Sequence, residues 1–369
     1  MHGSSTRNAN RYYQATMKYS RTFTFPLLMV ALIGTPIEFA VVASAHPDKH
    51  ARKAPGPVIE RVIAANPSVA LSLCIASGDI KVHGWDRNEV RARSNDAPEI
   101  EFRRPAGAHD SDPAREITVM IADRTPRRDG SCSFEGEIEL DVPRGASVRL
   151  QTRDGDIQVA DVSTVSANTQ AGDLDLAGVK RSVEAHTIGG NISLRNSTGS
   201  AELHSVGGTI EAGGVGPAVA GDAFEAATVG GDIRLDKTSF VELVARTVSG
   251  DLSLSGPLAV GGRYEFKTIS GDVSLTLPAD SSFRLDAKLS RDAELVTDFP
   301  LRMTSGPSAA PSQSSRRTGP PEKGDAMIDP DTLVKGSGYS LQHISGVYGS
   351  GNALITVSSF SGAINLRKK

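Results

Sequence analysis

Apolar and polar residues alternate with a period of two over most of residues 145–299, and glycine interrupts the alternation at a fixed phase. Seven, five and three positions before successive glycines stand Val165, Ala167 and Thr169, then Val183, Ala185 and Thr187, then Ala201, Leu203 and Ser205. The same column continues as Phe224, Ala226 and Thr228, then Leu243, Ala245 and Thr247, then Tyr264, Phe266 and Thr268. Beyond each glycine the pattern resumes, as Ile157 and Val159, Leu174 and Leu176, or Ile233 and Leu235. A period of two is a strand with one buried face. Each unit therefore reads as strand, tight Gly-Asp turn, strand and variable connection. Glycine is expected at the turn because it tolerates positive φ, and Asp or Asn because it can bond nearby backbone.

The units repeat a phrase. TRDGDIQV stands at 152–159, TQAGDLDL at 169–176, TIGGNISL at 187–194, TVGGDIRL at 228–235, TVSGDLSL at 247–254 and TISGDVSL at 268–275. An early copy, IASGDIKV, lies at 75–82 and a last one, SFSGAINL, at 359–366 around Gly362. From Gly155 the turn glycines Gly172, Gly190, Gly208, Gly231, Gly250 and Gly271 follow at intervals of 17, 18, 18, 23, 19 and 21 residues. A unit this short cannot bury its apolar face alone, but stacked units can, with equivalent strands paired in parallel at roughly 4.8 Å per coil. The predicted fold is all-β, a parallel β-solenoid of 17–21-residue coils with an irregular N-terminal β cap. A β-sandwich is the alternative, but a sandwich does not require one phrase at one phase in every strand pair.

Around this repeat the chain divides into six parts. Lys18 and Arg21 precede an apolar run from Phe25 that ends in Ala43-Ser44-Ala45, the pattern of a cleaved signal peptide over residues 1–45. A membrane anchor is the competing reading; Gly34, Pro36 and Glu38 interrupt the run and no basic cluster follows it at once. Met17 is a second candidate start. Residues 46–66 read as a flexible linker, 67–144 as a β cap segment and 145–299 as the repeats. Residues 300–337, rich in Pro, Ser and Gly, read as a disordered loop, and 338–369 as the final β coil, expected from 353 to 367.

Charge changes this picture little. The net of −3 becomes −6 once cleavage removes four basic residues and one acidic one, which offers no basic footprint for nucleic acid. After cleavage no transmembrane anchor is expected. Cys74 and Cys132 are the two cysteines; an exported chain invites their pairing, and two unpaired thiols are the alternative.

The stretches SGDIKVHGWDRNEVRARS and VPRGASVRLQTRDGDIQV, with the recurring SGD-[LIV]-x-L, resemble the bacterial "putative-adhesin" domain family, a group of uncharacterised exported β-strand-repeat proteins. The resemblance covers most of residues 68–369 and departs at the proline-rich 303–330. It implies the fold, and adhesion by analogy of name; it carries over no catalytic residue.

Catalytic motifs are lacking: the chain has no G-x-S-x-G, C-x-x-C, H-E-x-x-H or Walker-type loop. No catalytic residue, cofactor or metal is assigned. Asp156, Asp173, Asp232, Asp251 and Asp272 follow the turn glycines and suggest a calcium ladder, but their period is not nine, and turn chemistry explains them. Outward-facing Glu184 and His186 should stack on Glu202 and His204, a set with zinc-ligand chemistry. The same columns continue into Glu225, Arg246, Glu265 and Lys267, and so read first as charge ladders on a solvated sheet, ahead of a metal site. The function expected is a noncatalytic exported cell-envelope or surface scaffold, partnered by an envelope protein or polysaccharide. A carbohydrate-active enzyme on a parallel β-helix and an envelope metal-binding protein are the alternatives. Aromatic content of 5% and a lone Trp85 give little of the stacking surface that sugar clefts use.

Overall fold

The computed structural model describes residues 57–109, 111–121, 132–290, 293–303 and 342–369. The signal peptide, linker residues 46–56 and most of the proline-rich loop predicted above lie outside the described residues. Two parallel sheets run the length of the stack. In one, Ser147–Gln151, Thr164–Asn168, Ser182–His186, Ser200–His204, Ala223–Ala227, Glu242–Arg246 and Arg263–Ser270 each pair with the next. In the other, Ile157–Ala160, Leu174–Ala177, Ile192–Arg195, Ile210–Gly213, Ile233–Asp236, Leu252–Ser255 and Val273–Leu277 do the same. Val183 faces Ala201 and Ala201 faces Phe224 in parallel register, which distinguishes the solenoid from a sandwich. The alternating apolar side chains are buried between the sheets, in one continuous core. Small residues such as Ala167, Ala185, Ala226 and Ala245 keep that core narrow.

The corner joining the sheets explains the repeated phrase residue by residue. From Gly172 onward, the Thr or Ser three places before each glycine of the spine is buried, and its hydroxyl donates to the glycine carbonyl of the preceding coil. Thr169 bonds Gly155, Thr187 bonds Gly172, Ser205 bonds Gly190 and Thr228 bonds Gly208, at 2.9–3.2 Å. The Asp or Asn after each glycine accepts from the backbone N–H one coil further on. Asp156 takes Asp173 N–H at 2.8 Å, Asp173 takes Asn191 N–H at 2.7 Å and Asn191 takes Thr209 N–H at 2.9 Å. The series resumes from Asp232 through Asp251 and Asp272 to Ala363.

The glycines serve the expected purpose at some positions and a second one at all of them. Positive φ holds at Gly155, Gly271 and Gly362, but Gly172, Gly190, Gly208, Gly231 and Gly250 lie outside the left-handed region. What they share is proximity. A Cβ on any of them would fall 1.8–2.1 Å from the carbonyl oxygen of the glycine one coil earlier. The glycines form a spine along which backbone touches backbone.

Both ends of the stack are built out of order. Ala70–Cys74, the second half of the strand Ile59–Cys74, lies between Ala114–Ile121 and Ser147–Gln151. Ile80–Trp85 likewise lies between Ile138–Pro143 and Ile157–Ala160. The cap segment thus supplies two further parallel coils, with Gly78 and Gly136 joining the spine. Glu89–Ser94 and Ile100–Arg103 pair antiparallel at the outside and end the stack. At the other end Ala353–Ser361 and Ile364–Lys368 enter between the coil Arg263–Leu277 and the strands Phe283–Leu289 and Leu295–Thr297. Gln342–Tyr348 closes this end, antiparallel to Phe283–Leu289, and Phe299 packs edge-on between Phe283 and Tyr348.

Two predicted boundaries are corrected. The linker reaching to residue 66 gives way to strand from Ile59, because Ile63 and Ala65 pack inward opposite Val90 and beside Ala114. The loop starting at 300 gives way to a short strand, Arg302–Met303, paired with Val347 and Gly346.

Candidate functional site

The outer face of the longer-stranded sheet carries the columns singled out from the sequence. Register places Glu184 beside Glu202 and His186 beside His204, and continues to Glu225 and Ala227. The two imidazoles stack, with ring centres 5.0 Å apart and planes within 15° of parallel. Each ring turns its Nε2 toward the carboxylate of its own strand, His186 to Glu184 at 3.4 Å and His204 to Glu202 at 3.0 Å. Strand geometry causes this, since residues two apart share a face and their side chains lean along the strand. Among the described residues, no three or more His, Cys, Asp or Glu side chains already stand in a coordinating arrangement.

Two coils further on, the same face is charge-compensated. Arg246 reaches Glu225 at 3.7 Å and Glu265 at 3.1 Å, and Lys267 also reaches Glu265 at 3.1 Å. Partial burial pushes the Glu265 carboxyl up, but Lys267 and Arg246 together outweigh it and hold the group below its ordinary value. The turn carboxylates proposed for a calcium ladder are committed to backbone N–H groups, as described above, so turn chemistry accounts for them.

Cys74 and Cys132 are joined as a disulfide with Cα atoms 5.5 Å apart. Cys74 falls in line with Gln151, Asn168 and His186 on the outer face, and the bond ties the chain at 132 across it.

Sequence reasoning missed a groove on the opposite sheet. A cavity of about 400 Å³ lies over Ala160 and Ala177, with His83 and Arg93 on one side and Arg195 on the other. The signal was present in the repeat, since two consecutive alanines occupy a column that is His or Arg in the coils beside them. Its charges are largely paired, Arg93 with Glu139 at 2.8 Å and Arg195 with Asp175 at 2.6 Å. Trp85 stands at the end of this sheet between Arg87 and Arg91, whose guanidinium carbons lie 4.9 Å from its ring centre.

One grouping has the residue types of a hydrolase triad without its wiring. Ser345 donates to Asp286 at 3.0 Å, and His343 bonds the same carboxylate oxygen. A nucleophile must give its proton to the imidazole, whereas this hydroxyl is bonded to the acid.

No curated protein matches the sequence. Among solved structures, a putative adhesin from Parabacteroides merdae ATCC 43184 is similar at 11% identity, covering 60% of this chain and 90% of that one, with a TM-score of 0.40. A putative lipid binding protein from Parabacteroides distasonis ATCC 8503 gives 14% identity over 60% of this chain and 90% of its own, with a TM-score of 0.41. A putative cell adhesion protein from Clostridium sporogenes ATCC 15579 gives 10% identity over 85% and 100% of the two chains, with a TM-score of 0.22. The family model described as Toastrack DUF4097 matches residues 89–316, the greater part of the repeat region. With the stacked coils, the glycine spine and a family match over more than half its length, the chain belongs to the Toastrack DUF4097 family.

Proposed function

We propose that this protein is a noncatalytic, exported scaffold of the cell envelope or surface that binds another macromolecule along its sheets. The observation that carries the reading is the unbroken in-register stack, which presents two long, rigid, mostly polar faces. Such faces suit an extended partner such as a polysaccharide chain or an envelope protein better than enclosure of a small substrate. The His83–Arg195 groove is one place on them where a sugar ring has room, and its paired acids and bases offer both donors and acceptors. The disulfide supports export, because such bonds persist in oxidising compartments. Among the described residues no helix is long and apolar enough to cross a membrane.

The test is to offer the purified mature protein a panel of envelope polysaccharides and envelope proteins. Saturable binding without release of sugar fragments supports the scaffold. Steady fragment release, abolished by changing one acidic residue, overturns it in favour of an enzyme. Export is tested by mass spectrometry of the native protein, which should begin at His46; retention of Met1 or Met17 refutes it.

A further inference from the structure

The outer-face columns are balanced everywhere along this stretch except at one place. Glu184, Glu202 and Glu225 lie side by side in register, an arrangement of like charges that destabilises a sheet. Arg246 compensates Glu225. Among the described residues, Glu184 and Glu202 are ion-paired with His186 and His204, which are neutral in the form that binds metals.

We propose that Glu184, His186, Glu202 and His204 form a surface site for a divalent transition-metal ion with zinc-like ligand preference. The donor set is the first support, since two imidazoles and two carboxylates are ordinary zinc ligands. Spacing is the second. At Zn–N and Zn–O distances of about 2.0–2.1 Å, neighbouring ligand atoms of a tetrahedron stand about 3.3 Å apart. The two same-strand edges already measure 3.4 Å, from His186 to Glu184, and 3.0 Å, from His204 to Glu202. The 5.0 Å between the imidazole centres is the spacing of neighbouring strands in a near-parallel stack, so the cross-strand edge is not yet that of a metal site.

One thing is missing from a closed site. The rings lie nearly parallel and must tilt toward each other at Nε2. The terminal torsion of histidine is soft, and both rings lie on an open face with only their glutamates bonded. The third support is electrostatic. A divalent cation between the strands converts the repulsive pair Glu184–Glu202 into two ligands. Strand pairing fixes the four Cα positions before metal arrives, so binding should need side-chain rotation alone.

The experiment is calorimetric titration of Zn²⁺ into the tag-free, chelator-treated mature protein with its disulfide intact. The expected result is one saturable site per chain. His186→Ala and His204→Ala should each weaken it by at least about tenfold, the double variant should abolish it, and Glu184→Gln with Glu202→Gln should weaken it while keeping side-chain size. His343→Ala, which removes the imidazole of another His–carboxylate pair, should leave it unchanged. Absence of a one-to-one site in the unmodified protein overturns the proposal, as does a site that survives in the double histidine variant. Circular dichroism of each variant separates loss of ligand from loss of fold. The scaffold reading does not depend on the outcome, since it is tested by polysaccharide or protein binding in the absence of added metal.

Discussion

The two glycines of the phrase at 207–208 offer a paired test of the spine. Gly208→Ala places a Cβ 1.8 Å from the Gly190 carbonyl oxygen and 2.4 Å from its carbon. Ordinary contact begins near 3.4 Å, so the two coils must part locally by about 1.6 Å. Two of the hydrogen bonds that cross that gap lie beside the clash, from Ser205 hydroxyl to Gly190 carbonyl and from Thr209 N–H to Asn191, each 2.9 Å. Neither survives such a displacement. The Ser205 hydroxyl and the Gly190 carbonyl are both buried, and each left without its partner costs about 1–3 kcal/mol, so the substitution should destabilise the protein by about 2–6 kcal/mol, while the exposed Asn191 bond adds little. Gly207→Ala is the control. Its Cβ would meet nothing nearer than the Ile188 carbonyl at 3.5 Å, and its φ lies outside the left-handed region. Restricting the unfolded chain there should stabilise by about 0.4–1 kcal/mol. Urea denaturation of the oxidised protein, compared at constant slope, reads both. Equal effects at the two positions, or a Gly208→Ala cost below about 1 kcal/mol, would refute the steric account.

Three further outcomes follow from the same geometry. Thr228→Val keeps the shape but removes the donor to the Gly208 carbonyl, and should lower stability by about 1–2 kcal/mol in the same denaturation assay. Glu265 has a folded-state carboxyl held below its usual value of 4.5, so its stabilisation is present above that pH and fades as pH falls through the folded value. Glu265→Gln should therefore be less stable than the unmodified protein near neutrality, with the gap closing in acid; a gap that widens on acidification contradicts the assignment. Replacing Cys74 and Cys132 together by Ser opens a link spanning 58 residues, for which chain entropy gives about 4 kcal/mol as an upper estimate. The denaturation midpoint of that variant should match that of the reduced native chain.

The stack was legible because its period and phase are written in single residues. Thr187, Gly190 and Ile192 recur as Thr228, Gly231 and Ile233, and a repeated phrase at a near-constant interval admits parallel register directly. The same phase fixed the rows of outward residues, so the alignment of His186 with His204 could be written down beforehand. Their stacking could not, because ring torsions are set by neighbours across the sheet and not by spacing. Gly136 escaped notice because FEGEIEL keeps only the glycine and the alternation of the phrase, while lacking its Thr and Asp. The cause of the glycines was read only in part for a related reason: both a positive φ and a close backbone approach demand glycine, and only the coil above distinguishes them. The pairing order at the ends was likewise hidden. Periodicity says which residues face inward, but not that Ala353–Ser361 lies between two strands that precede it in the chain. The His83–Arg195 groove carries no motif, because Ala160 and Ala177 become open space only once the coils that hold His83 and Arg195 stand beside them.

The interleaved C-terminal coil bears on how this chain can mature. Tyr264 meets Ile355 and Leu275 meets Leu366, so a rung in the interior of the stack is supplied by residues 91 positions further along the chain. A chain folding from its N-terminal side can wind its central coils in order, yet the strands Phe283–Leu289 and Leu295–Thr297 have no seat until residues 353–368 take their slot between them and the coil before. The tail works as a keystone: a product truncated near residue 350 would carry every central repeat and still leave the far cap unmoored, its apolar ledge open to proteases. The far cap therefore cannot form before residues 353–368 have been made, and the strand Ile364–Lys368 is guarded against fraying because it is held on both sides.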